Sequence, residues 1–316
     1  MGLDDLIYPG YRRQEIWEPL FIIGNPRSGT TFLHRLLARD ESTFACMNTW
    51  EILFAPSIVS RRVVKGLGAL DDWLGRPFQS ILAGLEGRWQ DRNVMHVQAM
   101  CTPEEDEALL LHTFSSVLIW SFGAMLDDAR PYTYYDQQIP HADRMRQAAF
   151  YRRCLQRYLY SDGRHPEGLR RHYLSKNPAF TFRIDTLLEQ FPDARFVYMM
   201  RNPLDMIPSM VSLTKFVWTL TGDPVEYESL RRYVIELARR GYQYPLDRLQ
   251  RIEPARYAVV CFDDLTQDAG RTVAGIYRRF GLELSPAYAR VLDEEAERAR
   301  CYRSRHQYSL ERLGLS

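Results

Sequence analysis

The sequence predicts a three-layer α/β fold in which a central, mainly parallel sheet carries helical insertions. Three observations predict it. Short apolar runs bounded by proline, glycine or polar residues recur at residues 20–23, 171–176, 194–201 and 256–265, each followed by apolar residues at helical spacing. A Gly-x-x-x-x-Gly loop stands between the first run and its helix. Two of the later runs end in a basic residue, Lys176 and Arg201, at the strand end where open α/β sheets bind ligands. The expected organisation is a single domain over residues 1–316 with a mostly helical insertion at about 45–165.

The first element carries the most information. Residues 20–23 read Leu-Phe-Ile-Ile, a buried strand, and Phe32, Leu33, Leu36 and Leu37 mark one face of a helix. The loop between them, Gly24-Asn-Pro-Arg-Ser-Gly-Thr-Thr31, aims backbone amides at a helix N-terminus and so forms a cradle for an anion. A nucleoside-triphosphatase loop would follow its second glycine with lysine; here that position is Thr30. Arg27 supplies the charge instead, as a planar fork suited to phosphate or sulfate oxygens. The loop fits an anionic group less charged than a triphosphate, with no evident need for a metal.

The whole chain sets bounds on function. Its 316 residues are 46% apolar and 13% aromatic, enough for a large core. Lys and Arg total 41 against 40 Asp and Glu, a net charge of +1, which argues against non-specific nucleic-acid binding. No apolar run reaches the ~18 residues of a membrane span, and the N-terminus lacks a signal-peptide pattern. Five cysteines without a CxxC pair give neither a disulfide framework nor a zinc site. A reducing cytoplasm is the expected location.

After the first helix, Glu51 is one acid in an apolar, aromatic stretch. It reads either as a general base or as a structural acid paired with an arginine. Residues 59–100 read as an irregular insertion that covers a substrate. Thr102, Pro103 and the acids Glu104 to Glu107 have the composition of a helix start, and a long apolar helix is expected from there through Trp120. A helix is expected over 141–160 and a surface loop over 161–168. A strand then runs into Lys176, a helix follows at 182–191, and the next strand ends at Arg201. The helix from Leu204 offers the Ser209 hydroxyl, and Arg201 and Ser209, eight positions apart, can share one anion. Residues 231–251 read as a helix broken at Tyr242, Tyr244 and Pro245, residues 256–265 as a strand, and 271–280 as a helix stopped by Gly281. The basic tail, with Arg303, Arg305 and His306, is either a solvated end or a clamp over a bound anion.

Two anion sites in one chain call for a ligand with phosphates at both ends. On these motifs the sequence resembles the sulfotransferases that use 3′-phosphoadenosine 5′-phosphosulfate (PAPS), whose loop reads Pro-Lys/Arg-Ser-Gly-Thr-Thr and whose second motif pairs an arginine with a serine eight residues on. The Arg-for-Lys form, the Trp-Glu at residues 50–51, the Pro-Glu-Glu-Asp at 103–106 and the His-x-Tyr-Ser-Leu at 306–310 look most like the bacterial-type branch related to tyrosylprotein sulfotransferases.

The resemblance implies a P-loop-type fold and in-line, metal-independent transfer of a sulfuryl group to an acceptor hydroxyl or phenol, leaving 3′,5′-bisphosphoadenosine. It implies that Arg27, Ser28, Gly29, Thr30 and Thr31 hold the 5′-phosphate and that Arg201 and Ser209 hold the 3′-phosphate. It places Phe262 near the adenine; on the clamp reading of the basic tail, Arg303 and Arg305 bind the same ligand. Lys176 matches the family lysine near the transferring group. The histidine that serves as base in cytosolic sulfotransferases is Pro178 here, which leaves that role open; the resemblance to the tyrosylprotein branch, which uses a glutamate after the first helix, makes Glu51 the first candidate, with His96, Glu104 and Glu105 in reserve. The small-molecule acceptor and the oligomeric state are not specified.

Two other readings stand beside this one. A P-loop kinase or NTPase draws support from the apolar run 258–262 ending in Asp263, as a Walker B strand does. A non-catalytic nucleotide-binding protein would need only the anion sites.

Overall fold

A computed structural model describes residues 2–54, 56–75, 101–122, 126–162, 170–221 and 226–301 of the chain. Its centre is a five-stranded parallel sheet ordered β2-β3-β1-β4-β5. In chain order, α1 (Gly2–Ile7) precedes β1 (Leu20–Gly24) and α2 (Thr30–Leu37), then come β2 (Phe44–Ala45), α3 (Thr49–Phe54) and α4 (Ile58–Trp73). The helices α5 (Val117–Phe122), α6 (Leu126–Thr133), α7 (Tyr135–Gln138) and α8 (His141–Asp162) lead back to β3 (His172–Lys176). The rest alternates: α9 (Ile184–Gln190), β4 (Arg195–Met200), α10 (Pro203–Thr221), α11 (Tyr227–Leu249), β5 (Tyr257–Cys261), α12 (Phe262–Gln267), α13 (Ala269–Phe280) and α14 (Pro286–Cys301).

β1 is buried at all five positions because both sheet faces are covered, which is why it reads as an unbroken apolar run. Alternate residues serve opposite layers. Phe21, Ile23, Tyr173, Phe196 and Tyr198 pack with Tyr151 and Leu155 of α8, while Leu20, Ile22, Leu174, Val197 and Met199 pack with α2, α13 and α14. The register sets Ile22 opposite Lys176 and Gly24 opposite Met199, so the carboxyl ends of β1, β3 and β4 finish side by side. Among the described residues no helix is long and apolar enough to cross a membrane.

Four elements differ from the sequence expectation, each for a physical reason. Residues 58–73 form a regular helix where an irregular insertion was expected. Beyond Ile58 at its start, the buried positions of α4 are the polar Arg61 and Asp71, so its apolar pattern is hidden. The expected long helix from residue 102 to 120 is instead a 3-10 turn, Asp106–Thr113, ended by Phe114 in the left-handed region, followed by the separate α5. Thr102 and Pro103 are drawn to Asn48 and Thr49, with Thr49 N donating to the Thr102 carbonyl at 3.1 Å, and the acids after them are engaged elsewhere. The last strand stops at Cys261, and residues 262–265, expected as its continuation, belong to α12.

The fourth is α11, which runs unbroken through Tyr242, Tyr244 and Pro245. Pro245 cannot donate to the carbonyl four residues back, that of Gly241. The Tyr198 hydroxyl donates to that carbonyl instead, at 2.8 Å, so the orphaned acceptor is satisfied from the sheet.

Candidate active site

The anion loop forms as its sequence dictates. Gly29 sits at φ 92°, a left-handed conformation that costs glycine nothing, and starts α2 with its first-turn amides unpaired within the helix. The loop entrance is pinned by Thr181, whose hydroxyl accepts from Gly24 N at 2.8 Å and donates to Gly24 O at 3.0 Å. Nothing in the sequence around Thr181 announces this role. Ser28 is buried and its hydroxyl donates to the Asn25 carbonyl.

Arg27 is a non-glycine residue at φ 69°, an arrangement that costs on the order of 1–3 kcal/mol unless the surroundings enforce it. The enforcement comes from Arg201, whose Nη1 donates to the Arg27 carbonyl at 3.0 Å. The Arg27 side chain in turn donates from Nε to Ser209 Oγ at 2.9 Å. The two motifs expected at opposite ends of a ligand therefore interlock, and Arg27 reaches the serine assigned to the second site. Neither arginine makes an ion pair with a carboxylate among the described residues. Two half-buried guanidiniums beside a helix N-terminus are a strong attraction for anionic oxygens. Phe262 packs on Gly29 and carries the Arg201 guanidinium over its ring at 4.4 Å, so one face of this ring is already occupied.

Lys176 ends β3 with no exposed surface. Its Nζ donates to Glu105 Oε1 at 2.8 Å and Glu104 Oε1 at 3.1 Å, and lies 3.4 Å from the Thr31 hydroxyl of α2. Arg35 Nη2 is 3.8 Å from Glu104 Oε2. The two acids are held there by their neighbours in sequence. Glu107 accepts from Asn177 Nδ2 (3.0 Å), Arg183 Nη2 (3.1 Å), Ser116 Oγ (3.1 Å) and Val117 N (3.0 Å). Asp106 accepts from the hydroxyls of Tyr151 (2.5 Å) and Tyr173 (3.3 Å). Burial pushes the Asp106 carboxyl up to about 6, against the pull of the Tyr151 hydroxyl. His34, one turn into α2, is buried with neither ring nitrogen hydrogen-bonded. Burial first, then the charges of Lys176 and Arg35, hold its pKa well below the usual histidine range, so the ring is neutral.

Glu51, the first candidate for the base, is not brought to this cluster. It is 1% exposed and accepts from Arg61 Nε at 2.9 Å, from Arg61 Nη2, and from Asn48 N at 3.0 Å, while Arg61 also pairs with Asp162. Of the two roles the sequence left open for this acid, the ion pair is the one observed. Glu104 and Glu105 stand at Lys176 instead. Thr30 is buried at the start of α2, and Asp263, the Walker B-like acid, is exposed in the first turn of α12 at the sheet edge. His96, Arg303 and Arg305 lie outside the described residues. No cluster of metal-ligating side chains occurs among the described residues.

Among the described residues the arrangement has two halves, two arginines without a carboxylate partner and a buried lysine gripped by two acids. The first suits an anionic ligand with more than one phosphate; the second suits charge stabilisation and proton transfer beside it.

The chain is similar to known proteins in sequence and in fold. The family described as "Sulfotransferase family" matches residues 19–286. Over 272 residues the chain is 24% identical to the omega-hydroxy-beta-dihydromenaquinone-9 sulfotransferase Stf3 of Mycobacterium bovis and of Mycobacterium tuberculosis, a match that takes in 84% of this chain. It spans 63% of the length of those curated relatives. The fold is that of sulfotransferase STF1 from Mycobacterium tuberculosis (TM-score 0.73, 24% identity, all of this chain and 78% of that one). It is also that of sulfotransferase STF9 from Mycobacterium avium (TM-score 0.75, 18% identity, all of this chain and 77% of that one).

Proposed function

The chain belongs to the sulfotransferase family, and we propose that it transfers a sulfuryl group from PAPS to the hydroxyl or phenol of a small-molecule acceptor, in line and without a metal. The observation that carries this reading is the pair Arg27 and Arg201, two guanidiniums locked to one loop with no carboxylate partner among the described residues, next to a lysine that has two. These residues fit PAPS, whose phosphates would engage the loop from Arg27 to Thr31 together with Arg201 and Ser209. When bound, PAPS supplies the activated sulfuryl group.

The roles of the side chains follow from their surroundings. Arg27 and the first-turn amides of α2 neutralise oxygens at the loop. Lys176 stabilises charge as it shifts towards the departing phosphate, the electrostatic effect expected to dominate. Glu105, partly exposed where Glu104 is buried, accepts the proton from the acceptor oxygen, and Glu104 holds Lys176 in line. Phe262 serves Arg201 by orienting its guanidinium. The acceptor, by likeness to the relatives named for a hydroxylated dihydromenaquinone, is a hydroxyl on an apolar body. A cytoplasmic location accords with a PAPS-dependent reaction.

Incubation of the protein with PAPS and a panel of apolar alcohols and phenols tests the proposal. The expected result is stoichiometric appearance of sulfated acceptor and 3′,5′-bisphosphoadenosine, unaffected by EDTA. Absence of binding of 3′,5′-bisphosphoadenosine, together with absence of transfer, would overturn it.

A further inference from the structure

We propose that Tyr242, on a helix with no assigned ligand contact, is a positioning residue that sets Arg201 for recognition of the donor's 3′-phosphate. This inference rests on the PAPS reading above. Three contacts tie α11 to the anion site. The Tyr242 hydroxyl donates to the Arg201 carbonyl at 2.5 Å, fixing the backbone of the residue whose side chain spans to Arg27. The Gly241 carbonyl, released by Pro245, accepts from Tyr198, three residues before Arg201 on β4. Asn25, the first loop residue after β1, donates from Nδ2 to the Ala238 carbonyl at 3.3 Å.

Gly241 is what lets the helix come this close. A Cβ at that position would fall inside the contact distance of Asn25 Oδ1, a buried atom with no hydrogen-bond partner. The Tyr242 hydroxyl is raised above its ordinary pKa chiefly by burial, opposed by the Asn25 amide and the Arg201 charge, and therefore remains a donor. α11 also packs its Leu230, Val234 and Ala238 against Met206, Met210 and Val211 of α10, the helix that presents Ser209. One helix thus registers the loop entrance, the Arg201 backbone and the Ser209 helix together. Of these three contacts, that of Tyr242 is the one made to Arg201 itself.

Loss of the Tyr242 hydroxyl leaves the Arg201 guanidinium in the protein to hold the Arg27 carbonyl, and should therefore weaken recognition of the phosphate held by Arg201 and Ser209 more than that of the phosphate held by the loop. A structural role alone would reduce stability and lower all affinities together. Calorimetric titration of wild type and Tyr242→Phe with 3′,5′-bisphosphoadenosine and with adenosine 5′-phosphate separates the two. The expected result is that wild type prefers the bisphosphate and that Tyr242→Phe cuts this preference about tenfold, the size of one good polar contact, with adenosine 5′-phosphate affinity changed by less than about threefold. Tyr198→Phe, which frees the Gly241 carbonyl, should move the preference the same way by a smaller factor. Thermal melts of both variants establish that they fold. A wild-type preference that survives in both variants overturns this inference alone. A wild type with no preference for the bisphosphate overturns the PAPS reading and this inference with it.

Discussion

Glu105 Oε1 lies 2.8 Å from the ammonium of Lys176, a lysine with no exposed surface. A buried ammonium is tolerated only when paired, and here the partners are two acids on a segment that packs beside Asn48 and Thr49. Replacing Lys176 by alanine removes the charge proposed to stabilise the departing phosphate. The expected effect is a loss of about 10²- to 10³-fold in kcat, with the Kd for 3′,5′-bisphosphoadenosine changed far less. Glu105→Gln should cost about 10²- to 10⁴-fold in kcat. Glu104→Gln, in the more buried position against Arg35, should act more on stability than on turnover. Steady-state kinetics beside thermal melts of the three variants decide this, and an active Glu105→Gln would move the base elsewhere.

The interlock of Arg201 with Arg27 makes a prediction about charge rather than rate. Arg201→Ala removes a guanidinium and also frees the Arg27 carbonyl, so the left-handed conformation of Arg27 loses its support. Affinity for 3′,5′-bisphosphoadenosine should fall by at least about 100-fold, the loss of a charge-assisted contact plus preorganisation. The measurement is calorimetry without magnesium, with ATP and magnesium as comparison. Tighter binding of ATP, dependent on magnesium and indifferent to Arg201, would favour a kinase.

Much of this site is legible in the sequence because its parts are local. The loop from Gly24 to Thr31 carries its own conformation through Gly29, and Lys176 and Arg201 mark the ends of apolar strands that the sheet must bury. What is not legible depends on distant partners. The acids at 104–107 have the composition of a helix start, yet Lys176, Tyr151, Arg183 and Asn177 draw their side chains into the fold, and an α-helix does not form there. Pro245 reads as a helix breaker because nothing near it in sequence reveals that Tyr198 will satisfy the carbonyl it orphans. Glu51 could be read as base or as ion-pair partner, and the choice is made by Arg61, whose burial hides in a polar helix face.

The placement of Glu51 separates stability from catalysis. Glu51→Gln leaves Arg61 with one carboxylate partner, Asp162, in a fully buried site. Breaking a buried pair in this way costs about 3–5 kcal/mol. A clear drop in Tm is expected, while kcat per folded molecule stays within about threefold of wild type because the proposed chemistry assigns Glu51 no role. A Glu51→Gln protein that melts like wild type but has lost turnover would return Glu51 to the active site.

Asp106 gives stability a pH dependence whose sign can be worked out. Its carboxyl titrates near 6 in the fold against an ordinary value of 3.8, so the folded state holds the proton more tightly than the unfolded chain. Its contribution is most favourable below about pH 4, declines as pH rises towards 6, and is least favourable above that. The span corresponds to about 3 kcal/mol for a shift of about two units. Asp106→Asn keeps an acceptor for Tyr151 and Tyr173 and removes the titration. The stability of the variant relative to wild type should therefore increase between about pH 4 and 7 and then level off. His34 contributes with the opposite sign, since its depressed pKa costs stability as pH falls below about 6.5, but this term is common to both proteins and cancels in the difference. Denaturant unfolding of both proteins across that range supplies the difference curve, and a flat one would mean that Asp106 is ionised throughout.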